Sequence, residues 1–242
     1  MRGLVISDIH ANLTALDTVL KDSGSVDAVW CLGDLVGYGP DPNECVEKIR
    51  NIPNLICIIG NHDAAALKII DAESFNPEAR NALIWTRNTL TESNKVFLGN
   101  LKELVIWENF TLTHGSPRQP IWEYILDIRT ATQNFEFFST KICLIGHTHL
   151  PSIYTFSGSN NHALLAVPEA NQKIALPDRS IVNPGSVGQP RDQDPRAAYA
   201  ILDTELMLWD YRRVPYDIQA VQDRMKNAGL PERHIQRLSA GL

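Results

Sequence analysis

Five of the seven histidines stand in or beside short motifs of carboxylate, amide and imidazole side chains. Each of these side-chain types binds hard or borderline divalent cations. Two pairs are spaced two residues apart, so in extended backbone both members of a pair point to the same side. One aspartate stands alone, and the two oxygens of a single carboxylate can bridge two cations. The motifs are Asp8-Ile9-His10, Gly33-Asp34, Gly60-Asn61-His62-Asp63, His114-Gly115 and Gly146-His147-Thr148-His149.

Each motif follows a short apolar run with strand character, and a helical leucine pattern at residues 11–22 separates the first two runs. Strands that are apolar throughout and alternate with helices predict an α/β fold with a buried, mostly parallel sheet. Ligand sites in such sheets form at the carboxyl ends of strands, which is where these motifs stand. The strand candidates are residues 3–7, 26–32, 55–59, 111–113 and 142–145.

The remaining segments predict helices and then a β-meander. Asp41, Pro42 and Glu44 predict a helix start in which Asp41 is the N-cap and Glu44 closes a capping box. Residues 64–108 predict a helical insertion, and residues 216–242 predict a C-terminal helical extension. We expect one domain over residues 1–242. The meander strands are expected at residues 163–167, 172–176, 180–182, 197–202 and 206–211.

Composition limits the classes of function. The chain has 242 residues, 22 Lys+Arg and 28 Asp+Glu, a net charge of −6, and 44% hydrophobic residues, which is typical of a folded globular protein. The acidic balance argues against the broad basic surface of a nucleic-acid binder. No apolar stretch has the length of a membrane span and no signal peptide is recognisable, so we expect no membrane partner and a cytoplasmic location. The four cysteines lack C-x-x-C spacing and are expected to be reduced and buried.

Taken together, the five polar motifs resemble those of the calcineurin-like metallophosphoesterase superfamily in their order and rough spacing. They extend from residue 8 to residue 149, and the downstream Asn183-Pro184-Gly185-Ser186 is similar to a segment of the small bacterial-type members. The resemblance implies a four-layer α/β/β/α sandwich of two facing mixed β-sheets flanked by helices. It also implies a hydrolase that cleaves phosphomonoesters or phosphodiesters, and the size of the helical insertion favours a small or medium substrate.

Carried over residue by residue, the resemblance implies two divalent transition-metal ions, which could be manganese, iron, zinc, nickel or cobalt. Asp34 would bridge them together with a solvent hydroxide that acts as the nucleophile. His62 would be the general acid, and Asp63 would orient it. The implied ligands are Asp8, His10 and His149 for one ion, and Asn61, His114 and His147 for the other.

The stretch after Asp34 differs from better-known branches of the family. Gly37-Tyr38-Gly39 stands where phosphoprotein phosphatases and symmetrical dinucleoside tetraphosphatases usually carry an arginine, and Asp63 stands where the phosphatases carry glutamate. Residues 37–45 resemble a bacterial phosphoesterase subgroup with phosphodiesterase-like members. The sequence leaves open a dinucleoside polyphosphate hydrolase, a protein phosphatase, and a slow or non-catalytic regulatory or scaffold protein like a retromer subunit. The physiological substrate and the oligomeric state stay open too.

Several residues outside the ligand set have competing interpretations. Arg191 could bind a substrate phosphate or be a solvated loop residue. Asn12 could contact substrate, although a helix-capping role is favoured. We expect His162 and His234 on the surface, and the helical insertion along one wall of the pocket. A packing role, rather than base stacking, is expected for Trp85, Trp107, Trp122 and Trp209.

Overall fold

The computed structural model describes residues 1–157 and 161–242, and these residues form two six-stranded sheets flanked by helices. In chain order the strands are β1 (Arg2–Ile6), β2 (Ala28–Cys31), β3 (Leu55–Cys57), β4 (Leu104–Trp107), β5 (Phe110–Thr113), β6 (Ile142–Leu144), β7 (Ser152–Ser157), β8 (His162–Ala166), β9 (Lys173–Ala175), β10 (Ser180–Asn183), β11 (Ala197–Asp203) and β12 (Leu208–Val214). The α-helices are α1 (Leu13–Asp22), α2 (Pro42–Arg50), α3 (Asn61–Ala66), α4 (Pro77–Thr89), α5 (Glu92–Gly99), α6 (Ile128–Asn134), α7 (Ile218–Asn227) and α8 (Glu232–Ala240).

Both sheets are mixed. The first has the order β3-β2-β1-β11-β12-β9, in which β1, β2 and β3 are parallel and the other neighbours are antiparallel. The second has the order β4-β5-β6-β10-β7-β8, in which β5, β6 and β10 are parallel. The prediction of a mostly parallel sheet therefore holds only for part of each sheet, β1 to β3 in the first and β5, β6 and β10 in the second, because the remaining strands join in antiparallel register.

Three apolar layers hold the sheets and helices together. Trp30 of β2, Leu112 of β5 and Trp209 of β12 are buried in one core between the two sheets. Helices α1, α2, α4 and α5 cover the outer face of the first sheet, and α6 covers the outer face of the second. Burying each side chain of the size of Leu or Phe stabilises the fold by about 1.5–3 kcal/mol. The result is the four-layer α/β/β/α sandwich that the resemblance implied.

The segment expected as a helical insertion at residues 64–108 contains a strand at its end. Helices α3, α4 and α5 occupy it up to Gly99, and β4 then pairs antiparallel with β5 at the edge of the second sheet. Strand β4 is a run of four apolar residues, Leu-Val-Ile-Trp, that is only partly buried at the edge of the sheet. Its short length and edge position explain why the sequence pattern missed it.

The C-terminal extension forms α7 and α8, as predicted, and is tied to the start of α2. Arg224 of α7 donates from Nε (3.0 Å) and Nη2 (2.9 Å) to the carboxylate of Asp41. Asp41 stands directly before α2, but its side chain makes no cap hydrogen bond there. The predicted capping box is therefore wrong, because the pairing with Arg224 engages both carboxylate oxygens.

All four cysteines are free thiols, three of them buried and Cys57 partly buried. Burial raises the pKa of the Cys45 and Cys143 thiols, which keeps them protonated at neutral pH. In the described ranges no helix has both the length and the apolar character needed to span a bilayer.

His234 of α8 is buried, contrary to the expectation that it lies on the surface, whereas His162 is exposed as expected. The His234 ring packs on Tyr38 with the ring centroids 4.6 Å apart. Within the described residues, neither of its ring nitrogens makes a hydrogen bond of ordinary geometry. Helix α8 is amphipathic, and its apolar face carries His234 together with Leu238 one turn later. Burial lowers the pKa of His234 to about 4, so the ring is neutral.

This neutral histidine makes the fold sensitive to acid. The pKa of His234 falls from 6.5 to about 4 on folding, so unfolding takes up a proton, and stability present above pH 6.5 is lost as the pH falls toward 4. The variant His234→Phe removes that proton uptake. Between pH 7.5 and 5 we expect the wild type to lose about 2 kcal/mol more unfolding free energy than the variant. Urea titrations at the two pH values measure this difference, and equal losses in the two proteins would contradict it.

Candidate metal centre

The polar motifs converge at one edge of the two sheets, where β1, β2, β5 and β6 end. Three overlapping groups of side chains have their ligand atoms within 4.8 Å of one another, and all their members are buried. The groups are Asp8–His10–His149, His10–Asp34–His62 and Asp34–His114–His147. Asn61 joins the last group, because its Oδ1 lies 3.1 Å from Nε2 of His114. The structure thus brings together every residue of the predicted ligand set.

Asp34 lies between two sub-clusters of imidazoles. On one side, Nε2 of His149 is 3.3 Å from Oδ1 of Asp8 and 3.0 Å from Nε2 of His10. On the other side, Nε2 of His114 is 3.3 Å from Oδ2 of Asp34. The same Oδ2 is 3.7 Å from Nε2 of His10. One oxygen of Asp34 therefore faces both sub-clusters.

Backbone carbonyls orient the four ligand imidazoles. In each ring one nitrogen faces a carbonyl oxygen to which it can donate a hydrogen bond, and this contact turns the other nitrogen toward the centre. This arrangement is typical of metal-bound histidine, where the second ring nitrogen is anchored by a hydrogen bond. The anchoring contacts are His10 Nδ1 to Val36 O (3.2 Å), His114 Nδ1 to Leu32 O (2.7 Å), His149 Nδ1 to Gln189 O (2.5 Å) and His147 Nε2 to Trp122 O (3.2 Å).

Two buried carboxylate oxygens show that this donor set fits a cation. Oδ1 of Asp8 and Oδ2 of Asp34 have no hydrogen-bond partner within the part of the chain that the structure describes. Oδ1 of Asp8 faces Nε2 of His10 and His149, and Oδ2 of Asp34 faces Nε2 of His10 and His114. Buried carboxylate oxygens without a hydrogen-bond partner cost free energy unless a cation lies beside them. Carboxylate, amide and neutral imidazole together suit a divalent transition metal.

Three of the four imidazoles and Asp34 have the protonation state that a metal ligand needs. Burial lowers the pKa values of His10, His147 and His149 well below the usual range, so these rings are neutral. Burial alone would raise the pKa of Asp34, but the neighbouring His114 and His62 outweigh it and lower that pKa. Asp34 is therefore an anion at neutral pH, which is the form that coordinates metal. At His114 burial alone would lower the pKa, but the negative charge of Asp34 outweighs it and raises that pKa to about 9, so a cation would have to displace the proton of that ring.

The backbone is strained at several ligand positions. Asp8, His10, Asp34, His147 and His149 all have positive φ angles, between 49° and 66°. Side chains other than glycine rarely adopt this region, and such residues cost of order 1–3 kcal/mol each. Because the strain coincides with the ligand set, the fold holds these side chains in a geometry that local preferences disfavour.

Two glycines let the motif loops approach one another closely. A Cβ on Gly60 would clash with the Asp34 carboxylate. A Cβ on Gly37, where φ is +95°, would lie 2.5 Å from Nδ1 of His62. Only glycine fits at these points, so both glycines of these motifs have a steric role.

Asp63 does not orient His62, which corrects the role that the resemblance implied. Its carboxylate accepts hydrogen bonds from the backbone N–H groups of Val36 (3.0 Å) and Gly60 (3.1 Å). Nδ1 of His62 is buried and has no partner among the described residues. Asp63 therefore joins the loop after β2 to the start of α3, and it positions Asp34 through the backbone.

The two proposed substrate contacts have different environments. The carboxamide of Asn12 is fully used, since Oδ1 accepts from Ala15 N at the start of α1 and Nδ2 donates to Gly188 O. Asn12 is thus a helix cap, as favoured, and not a free substrate contact. Arg191 lies beside the centre, because its guanidinium is 5.9 Å from the ring centroid of Tyr38, which contacts His62. After burial, the positive charge of Arg191 also lowers the pKa of His62. Its Nε is buried without a partner, and Nη2 donates to Gln189.

Tyr38 is a site residue that the sequence did not single out for a role. Its ring contacts His62 and His10, with centroid separations of 4.4 and 4.7 Å. The Arg191 guanidinium lies 5.9 Å from the Tyr38 ring centroid. The only signal was its position between Gly37 and Gly39, in the stretch where related branches carry arginine.

A cleft of about 600 Å³ opens beside His62 and Asn61. The start of α4 and the turn before it form one wall, which confirms that the helical insertion lines the pocket. The loop after His114 forms the other wall and includes Trp122, which is only partly buried. Trp122 packs against apolar neighbours, as expected of the tryptophans, but it also lines the cleft. The remaining lining residues are Tyr38, Ser74, Phe75, Asn76, Ala79, Gln119 and Tyr124.

Comparison with known proteins identifies the family. The family model described as the calcineurin-like phosphoesterase superfamily domain matches residues 1–207. The crystal structure of a metallophosphoesterase from Sphaerobacter thermophilus is 45% identical in sequence, covers 100% of this chain and 99% of its own, and superposes with a TM-score of 0.92. The uncharacterized protein MJ0912 of Methanocaldococcus jannaschii is 36% identical over 98% of this chain and 97% of its own length.

A more limited similarity links the chain to nucleotide hydrolases. The symmetrical bis(5'-nucleosyl)-tetraphosphatase of Baumannia cicadellinicola is 36% identical over 73 residues, which is 28% of this chain and 25% of that protein. This match spans only a small part of either protein.

The Asp63 contacts predict a structural rather than catalytic defect on substitution. Asp63→Ala leaves two buried backbone N–H groups without acceptors, which costs about 2–6 kcal/mol of unfolding free energy. Asp203 is a matched control, because it also accepts from two backbone N–H groups but in an exposed turn where water replaces it. We expect Asp203→Ala to lose much less stability in chelator-treated urea titrations. If Asp63→Ala were as stable as Asp203→Ala but had lost activity, the structural role would be contradicted, and the result would favour the role in orienting His62 that the resemblance implied.

Proposed function

We propose that this chain, which belongs to the calcineurin-like phosphoesterase superfamily, works with two divalent cations held on either side of Asp34. Family membership makes it a phosphoester-hydrolysing enzyme. The observation that carries the proposal is the position of Oδ2 of Asp34, which faces His10 on one side and His114 on the other. Two cations bound there would supply Lewis acidity to the phosphoryl oxygens and a water nucleophile of lowered pKa. One cation would use Asp8, His10 and His149, and the other Asn61, His114 and His147.

His62 is proposed as the group that protonates the leaving oxygen. It lines the cleft, and its Nδ1 lies against Gly37, which leaves Nε2 as the nitrogen that can face substrate. Burial lowers its pKa to about 4, while the negative charge of Asp34 acts in the opposite direction. A bound phosphoryl group adds further negative charge beside the ring, and this charge would favour the protonated form that a general acid requires.

Arg191 is proposed to bind a phosphoryl oxygen of the substrate. In the described ranges its guanidinium pairs with no carboxylate, and it donates a hydrogen bond to the neutral side chain of Gln189. An arginine without an acidic partner beside a cationic centre can complement a phosphate by charge-assisted hydrogen bonds.

The substrate class has more than one candidate. Phosphomonoesters and phosphodiesters of small or medium size fit the volume of the cleft. The partial similarity to symmetrical tetraphosphatases supports dinucleoside polyphosphates as a second candidate. Manganese, iron, zinc, nickel and cobalt all suit the ligand types. We also propose a cytoplasmic location, which the free cysteines support because disulfides are rare in that reducing compartment.

The proposal is tested by hydrolysis of p-nitrophenyl phosphate, bis-p-nitrophenyl phosphate and a dinucleoside polyphosphate with and without Mn²⁺. We expect turnover that depends on the metal. His62→Ala should keep the rise in melting temperature on Mn²⁺ binding but lower kcat about 10²–10⁴-fold, because it removes the proton donor. His162→Ala, at the exposed start of β8, is the matched histidine control and should retain wild-type kcat. Absence of metal-dependent turnover on all three substrates would refute the two-cation mechanism, and an unchanged kcat in His62→Ala would refute the role of His62.

A further inference from the structure

The cleft beside the centre is lined by four aromatic rings, which we call the aromatic cleft: Tyr38, Phe75, Trp122 and Tyr124. Phe75 and Trp122 meet at its floor with ring centroids 5.2 Å apart. Tyr124 is 44% exposed and Trp122 is partly exposed, so part of each side chain is accessible to a ligand. Aromatic rings held in this way offer stacking surfaces to a planar group.

The aromatic cleft is continuous with the candidate metal centre. His62 and Asn61 belong to its lining, and Phe75 contacts the His62 ring with a centroid separation of 4.9 Å. Tyr124 stacks on the ring of His147 at 3.8 Å and an interplanar angle of 16°. A group that occupies the cleft therefore lies beside the proposed reaction site, close enough to be joined to the phosphoryl group of a substrate.

Polar side chains stand at the rim of the aromatic cleft. Ser74, Asn76 and Gln119 line it and are exposed. Oδ1 of Asn76 accepts from Ala79 N, which leaves its amide N–H groups available. No hydrogen bond from the Gln119 carboxamide occurs within the described chain. Carboxamides can donate to and accept from the hydrogen-bonding edge of a heterocycle, which a plain phenyl ring or a sugar does not offer in the same plane.

We infer that the aromatic cleft binds a nucleobase, so that the substrate is a nucleoside phosphoester. This inference rests on the proposed function, since it names the organic part of the phosphoester that the centre cleaves. The volume of about 600 Å³ lies within the range of small-molecule sites. Stacking between aromatic side chains, with amides at the base edge, is how proteins hold single unstacked bases.

The test measures nucleoside binding to chelator-treated protein, so that it does not depend on the metal centre. Equilibrium titrations with adenosine, guanosine, cytidine and uridine are compared with ribose and with phenol. We expect saturable nucleoside binding, and weaker or no binding of ribose and phenol. Trp122→Ala should weaken nucleoside binding at least about fivefold, because it removes a stacking surface, and Trp122→Phe should restore part of it. Phe137→Ala removes an exposed ring outside the cleft and should bind like the wild type.

A kinetic measurement on the metal-loaded enzyme completes the test. The ratio of kcat/KM for adenosine 5'-monophosphate over ribose 5-phosphate should be well above one in the wild type and should fall in Trp122→Ala. Equal binding of nucleoside and ribose, phenol binding as tight as nucleoside binding, or an unchanged ratio in Trp122→Ala would overturn the nucleobase assignment. These outcomes are distinct from failure of the proposed function, which would appear as loss of all metal-dependent turnover while nucleoside binding persists.

Discussion

Buried carboxylate oxygens and imidazole nitrogens converge in the interior of this protein at one edge of its two sheets. Oδ1 of Asp8 and Oδ2 of Asp34 are buried, and both face ring nitrogens of His10, His114 and His149 at 3.3–3.8 Å. Such an arrangement repels itself unless a positive charge neutralises it. A divalent cation satisfies the anions and the lone pairs at once, and this requirement explains most of the surrounding structure.

The surrounding chain holds these acceptors in place against their local preferences. The positive φ angles at the candidate ligand positions are unfavourable for the residues themselves. The surrounding loops hold the backbone in this conformation. Carbonyl groups of Val36, Leu32 and Gln189 set the ring orientations, and Asp63 links the loop after β2 to the start of α3. The four-layer sandwich brings ligands from both sheets to a single edge. The site is therefore preorganised by tertiary structure rather than by any one element.

The sequence predicted which polar side chains meet at this edge of the sheets, because each directly follows an apolar strand or sits in a glycine-containing motif. Their role as metal ligands stays a prediction. The chemical types, the two-residue spacings and the strand ends are all local features. Asp63, Asp41 and His234 were misjudged because their roles depend on partners distant in sequence. Asp41 pairs with Arg224, and His234 packs on Tyr38, contacts that arise only when the C-terminal helices fold back onto the sandwich. The stacking surface of Trp122 is likewise created by the meeting of two loops, and no periodicity marks it.

The central claim, that Asp34 joins two cation sites, is tested most directly by anomalous diffraction from crystals soaked in Mn²⁺. The account predicts two anomalous peaks about 3.5–4 Å apart on either side of Asp34. One should lie among Asp8, His10 and His149, and the other among Asn61, His114 and His147. A single peak at full occupancy in excess Mn²⁺, or peaks that do not contact Asp34, would contradict it.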